Sequence, residues 1–86
     1  MRPPERIDEI MELLQRIWKM ETNADMRFFQ LIYFLQYKFS HAHGGRGKIE
    51  SAEVEGSKDI GYDLFNTEDD EVIEFLHAYL ANPNAS

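Results

Sequence analysis

Residues 24–39 read Ala-Asp-Met-Arg-Phe-Phe-Gln-Leu-Ile-Tyr-Phe-Leu-Gln-Tyr-Lys-Phe, and six aromatic rings, Phe28, Phe29, Tyr33, Phe34, Tyr37 and Phe39, fall within twelve of them. No Gly or Pro interrupts the run. Wound as a helix, it carries one apolar stripe at Phe28, Leu31, Ile32, Leu35 and Phe39 and a second at Phe29, Tyr33 and Tyr37. A helix on the surface of a globular domain shows a single stripe. Two stripes require cover from two sides, or cover on one side and a docking surface on the other. The rest of the chain has to be arranged around that demand.

The material available for cover is limited. The chain has 86 residues, 43% of them apolar and 29% charged, which suits one globular domain rather than a disordered segment. A domain of this size buries only about two-thirds of the surface its unfolded chain exposes. There is no Cys, so disulfides and thiolate metal sites are excluded and a reducing compartment fits. The opening Met-Arg-Pro-Pro-Glu-Arg lacks an apolar signal core, and the run from Leu31 to Leu35 is too short to span a bilayer. The expectation is a cytoplasmic protein with no membrane association.

The net charge of −7 is unevenly placed. Residues 1–48 hold eight Lys/Arg against six Asp/Glu, whereas residues 49–86 hold only Lys58 against ten acids. Duplex binding needs a basic face to neutralise phosphates. An acidic half repels nucleic acid and favours basic partners, or simply solvates one face.

Pro3 and Pro4 suit a first helical turn, and Ile7, Ile10, Met11, Leu14, Ile17 and Trp18 recur at helical spacing, so the pattern predicts an amphipathic helix over about 5–21. A second helix is predicted over about 24–40, with Asn23 or Asp25 as its cap. Residues 41–65 are expected to form a hairpin or loop. The Gly-rich stretch Gly44-Gly-Arg-Gly-Lys48 stops the helix, Ile60, Tyr62 and Leu64 alternate, and a turn at Gly56-Ser57 sets Glu55 opposite Lys58 and Ile49 opposite Leu64. Asn66-Thr-Glu-Asp-Asp-Glu71 reads as the start of a third helix over about 67–81, its acids complementing the helix dipole, and Asn82-Pro83 stops it.

Chemistry is sparsely signalled. His41 and His43 form a His-x-His pair that could begin a metal site with Glu50 or Asp59, but nothing at fixed spacing completes the ligand set, and no metal or other cofactor is expected. The Gly-rich stretch lacks the first Gly and the hydroxyl of a phosphate-binding loop, where Ala42 and Ile49 stand. No Ser has a nucleophile-elbow context. Glu68 to Glu71 are explained by the helix dipole better than by acid–base work. Arg27, early in the most apolar helix, wants a carboxylate, and Asp69 or Asp70 are the candidates for a pair tying the second helix to the third. Exposed among aromatics, the same Arg suits an interface instead.

Two segments, Arg6-Ile-Asp-Glu-Ile through Trp18 and Ala24-Asp-Met-Arg-Phe-Phe-Gln-Leu-Ile32, together with Phe65, Glu68-Asp69-Asp70 and the apolar run Val72 to Leu80, carry a resemblance. The pattern resembles a group of small bacterial and phage proteins of unknown function, which read Arg-Ile, two Ile/Leu turns, Trp, then Pro-Asp-Leu-Arg-Phe/Leu-x-Gln-Leu. Ala24 stands where that pattern has Pro, and residues 40–62 look like an insertion. The resemblance implies a compact helical unit and no assigned reaction.

The expected fold is mainly α, a three-helix unit with a short β-hairpin or loop insertion between the second and third helices. Its expected core is Ile10, Leu14, Ile17, Trp18, Phe28, Leu31, Ile32, Leu35, Ile73, Leu76 and Leu80. The leading functional expectation is a non-catalytic protein-interaction module that binds a protein partner or itself through Arg27, Phe29, Tyr33 and Tyr37. The alternatives are an acidic inhibitor or decoy of a basic or nucleic-acid-binding protein, acting through Glu50, Glu53, Glu55, Glu68 and Asp69, and a small metal-dependent enzyme built on His41 and His43.

Overall fold

The protein, seen in a computed structural model that describes residues 2–52 and 58–84 (for residues 51, 52, 58 and 59, the backbone alone), is three helices with a two-stranded antiparallel hairpin between the second and third. The order is α1 (Glu5–Trp18), α2 (Phe28–Ala42), β1 (Lys48–Ala52), β2 (Lys58–Tyr62) and α3 (Asp69–Ala81).

Helix α1 begins where the two prolines predict, with the N–H of Ile7 donating to the carbonyl of Pro4 at 3.0 Å. It ends three residues before the predicted limit, and α2 starts four residues later than predicted. The cause is Asn23, which is 2% exposed. Its Nδ2 donates to the carbonyl of Ile17 at 2.9 Å and lies 3.4 Å from the Tyr79 hydroxyl. A buried amide that satisfies a helix-end carbonyl stops the helix there. Trp18 Nε1 donates to the carbonyl of Met26 at 2.9 Å, which holds the connecting turns against α1. Arg27 is the extended residue ahead of α2, and Gln30 Oε1 accepts its N–H at 2.8 Å, one half of a capping box.

Helices α1 and α3 run close together, and α2 reaches them through its Leu31–Leu35 stripe. The core is Leu13, Ile17, Leu31, Leu35, Leu76 and Tyr79, with Phe39 also buried. Ile10, Leu14, Trp18, Ile73 and Leu80 pack against it while remaining partly exposed, and Ile32 is half-buried. One member of the expected core is corrected: Phe28, at the first residue of α2, is 48% exposed. Leu13 and Tyr79 enter in its stead. Helix α1 is turned so that Leu13 and Ile17 meet α3, which leaves Ile7 and Met11 outside.

The hairpin pairs Lys48 with Tyr62, Ile49 with Gly61 and Ala52 with Lys58. This corrects the expected register by three residues: Ile49 faces Gly61 rather than Leu64, and Lys58 faces Ala52, while Glu55, Gly56 and Ser57 lie outside the described residues. The pairing is set from the base of the hairpin. Gly44, Gly45 and Gly47 take positive φ of 72°, 88° and 78°, which turns the chain off α2 and lets the Asp63 N–H donate to the Gly47 carbonyl at 2.8 Å.

Gly47 therefore has no room for a side chain. A Cβ there would lie 2.6 Å from Leu64 Cδ2 and 2.7 Å from the Asp63 carbonyl oxygen. Gly47→Ala is expected to lower stability by about 1–3 kcal/mol in urea denaturation, whereas Gly44→Ala, with open space around it, loses only the smaller left-handed backbone cost of about 1 kcal/mol. Ile17→Ala, at the centre of the core, is expected to cost about 2–5 kcal/mol.

Candidate protein-docking site

The apolar residues of α1 cover a wider arc than one seam needs. Ile10, Leu13 and Ile17 supply the side turned to the core. Ile7, Met11, Leu14 and Trp18, spaced four, three and four apart, form an adjacent stripe. Ile7 is 51% and Met11 59% exposed. At the far end of this stripe Trp18 meets Phe28, ring centroids 5.8 Å apart, and Phe28 meets Phe29 edge-on at 5.3 Å. Phe29 is 81% exposed. Between α1 and the start of α2 lies an open, largely apolar groove of about 750 Å³, walled by Met11, Leu14, Trp18, Phe28 and Leu31 with Glu12, Gln15 and Lys19 among its polar lining.

The four aromatic-helix residues singled out in the sequence separate into two places. Arg27 and Phe29 sit at the start of α2, beside the groove. The expected pairing of Arg27 with Asp69 or Asp70 is not found: Arg27 is exposed in the turn before α2, and Asp69 is hydrogen-bonded by Arg6 Nε from α1. Tyr33 and Tyr37 face the hairpin side. Tyr33 packs edge-on against Tyr62 at 5.6 Å and donates to the Ile60 carbonyl at 3.3 Å; Tyr37 stacks on His41 at 6.0 Å. The hairpin thus covers part of the second stripe, and burial, followed by the neighbouring Tyr33, raises Tyr62 above the ordinary phenol value. Tyr33 and Tyr37 remain about half exposed.

The acids are largely engaged. Arg2 reaches Glu68 at 3.1 Å, Arg6 takes Asp69, and Lys48 reaches Glu50 at 2.9 Å. Arg46 grips Glu71 with both fork nitrogens, at 2.9 and 3.0 Å. Glu53 and Glu55 lie outside the described residues, as does the side chain of Asp59. His43 stacks on Phe39 at 4.1 Å with its Nδ1 2.8 Å from the Phe39 carbonyl. His41 and His43 are thus each stacked on an aromatic ring, and among the described residues no three His, Asp or Glu side chains converge as a metal site. Among those residues, too, no helix is long and apolar enough to cross a membrane.

By periodicity alone Ile7 and Met11 belong to an apolar face and Phe28 to the core. The one signal of surplus in α1 is the width of its apolar arc, seven apolar residues where a single seam uses about four, and it does not say which of them fall outside. Comparison with protein families, with curated proteins and with solved structures returns no match.

The Arg46 fork ties the Gly-rich loop to the first turn of α3 and lies over the Phe39 ring, 5.9 Å from its centroid. Hydrogen bonding from Arg46 holds the Glu71 carboxyl below its ordinary 4.5. A carboxyl depressed in the folded state stabilises the fold above its unfolded value, and that contribution is lost as pH falls through the folded one. Glu71→Gln is accordingly expected to flatten the acid limb of a stability–pH curve, followed by urea midpoints from about pH 5 to about pH 3.

Proposed function

We propose that the protein is a non-catalytic interaction module that docks protein through the α1–α2 face. The observation that supports this most is the set of exposed large apolar side chains at one open groove: Met11 and Phe28 line it, Ile7 lies one helical turn before Met11, and Phe29 packs edge-on against Phe28. The largest apolar patch on a protein's surface is often its functional one. Aromatic residues and Met are also the types enriched at the centres of interfaces. The acidic-decoy alternative draws less support, because Glu50, Glu68 and Asp69 are each bridged by a cation of the same chain.

Trp18, the single Trp of the chain, lines the groove and serves as its reporter. Occupation of the groove is expected to shift Trp18 emission to the blue and shield it from acrylamide. In native-lysate pulldowns, a specific partner is expected to be retained by the wild type and by Tyr37→Ser and lost by Met11→Glu, with the far-UV circular dichroism of all three unchanged. Capture indifferent to Met11→Glu, and released by raising salt from about 0.05 M to about 0.5 M, would transfer the function to the acidic surface.

A further inference from the structure

Resting on the reading of the α1–α2 face as a docking surface, we infer that its occupant is a second copy of this chain, paired across a two-fold axis with α1 antiparallel to α1. Three features of the face favour a copy over an unrelated segment.

The first is the seam. The spacing of Ile7, Met11, Leu14 and Trp18 reads four, three, four in either direction. Reversing a second α1 against the first sets Ile7 opposite the second copy's Trp18 and Met11 opposite its Leu14. Every position is then matched by an apolar partner. This is the self-complementarity that a two-fold interface demands, with residue i meeting j and j meeting i. A spacing of alternating threes and fours is also the one that lets side chains of two helices interlock.

The second is the shape of the face. The groove and a projecting aromatic edge stand side by side: Phe28 forms a wall, and Phe29, in edge contact with it, projects at 81% exposure. One face thus offers both a ridge and a depression, so two copies can cover each other's exposed rings. Large side chains present about 150–250 Å² each, and the exposed fractions of Ile7, Met11, Phe28 and Phe29 together offer roughly 500 Å² per copy. The groove walls carry this toward the roughly 800 Å² per partner of a standard interface.

The third is charge. A second copy brings a further −7, so the acid excess must lie away from the seam, and it does. The part of the chain after residue 48 carries the surplus, and none of its described residues lines the groove. The groove lining includes one acid, Glu12, and one base, Lys19. In the reversed pairing Asp8 lies level with the second copy's Ile17, two residues along from its Lys19, and the two-fold axis falls between positions 12 and 13, so the like pair nearest the axis is Glu12 with its own copy, a repulsion that added salt screens.

An apolar seam between two acidic molecules has a distinctive salt response. Screening weakens the long-range repulsion and leaves the apolar contact intact, so added salt tightens the pair. Sedimentation equilibrium of the full chain, from about 1 µM to about 1 mM, is the test. A species of twice the 10.1 kDa chain mass is expected, strengthened between about 0.05 M and about 0.5 M salt. Met11→Glu and Phe29→Glu are each expected to weaken it about tenfold or more, with unchanged circular dichroism, while Tyr37→Ser leaves it intact. A monomer across the whole range overturns the self-association inference. So does a dimer that Tyr37→Ser dissolves and Met11→Glu does not, or one weakened by salt. If a monomer still retains a lysate protein in a manner abolished by Met11→Glu, the docking face stands and only the choice of occupant fails. If neither association nor Met11-dependent capture occurs, both fail.

Discussion

The arrangement turns on a shortage of cover. Helix α2 is apolar around most of its circumference, and α1 is apolar over an arc wider than one seam. Among the described residues, α3 and a short hairpin are the elements set against them. The core accordingly claims one stripe from each helix, centred on Ile17, Leu31 and Leu76. Burial of apolar area is the dominant favourable term in folding, so the sides of α1 and α2 that can meet α3 do so. What cannot reach α3 is left at the surface: Met11 and Phe28 on the walls of one groove with Ile7 and Phe29 next to them, and Tyr33 and Tyr37 against the hairpin. The candidate docking site is the remainder of the packing problem.

Charge follows the same economy. The basic first half of the sequence folds over the acidic start of α3, where Arg2, Arg6 and Arg46 meet Glu68, Asp69 and Glu71 in turn. Exposed pairs of this kind contribute little energy individually. Their larger effect is positional. Arg6 sits between α1 and α3, and Arg46 brings the Gly-rich loop onto the first turn of α3. That loop in turn brings the base of the hairpin against the end of α2. The acids that looked like an open surface in sequence are therefore partly the internal counterions of the fold.

Hydrophobic periodicity made the three helices legible, because a helix that buries one side must repeat its apolar residues at about 3.6-residue intervals. The glycine stop after α2 and the hairpin between α2 and α3 were readable for similarly local reasons. Boundaries were not. The end of α1 depends on the Asn23 amide finding the Ile17 carbonyl with Tyr79 close by, and Tyr79 lies 56 residues away in the chain. The hairpin register failed for a comparable reason. A Gly-Ser dipeptide is a plausible turn by composition, but the pairing is governed at the opposite end, by the positive φ of Gly47 and its bond from Asp63. Residue type alone offers Asp69 to Arg27, but Arg6, on another helix, occupies it.

Chain order and residue type were enough to establish three helical segments, the middle one aromatic and too apolar to stand alone, and a break at the glycines. These are properties of near neighbours, and periodicity records them. Which stripe of each helix faces inward, which acids find a cation and where the leftover aromatic surface gathers depend on the rotation of each helix about its own axis. That rotation is settled by competition among all the packing partners at once. Leu13 is buried and Met11 exposed because α3 approaches α1 from one side, and no count of apolar residues along α1 distinguishes the two.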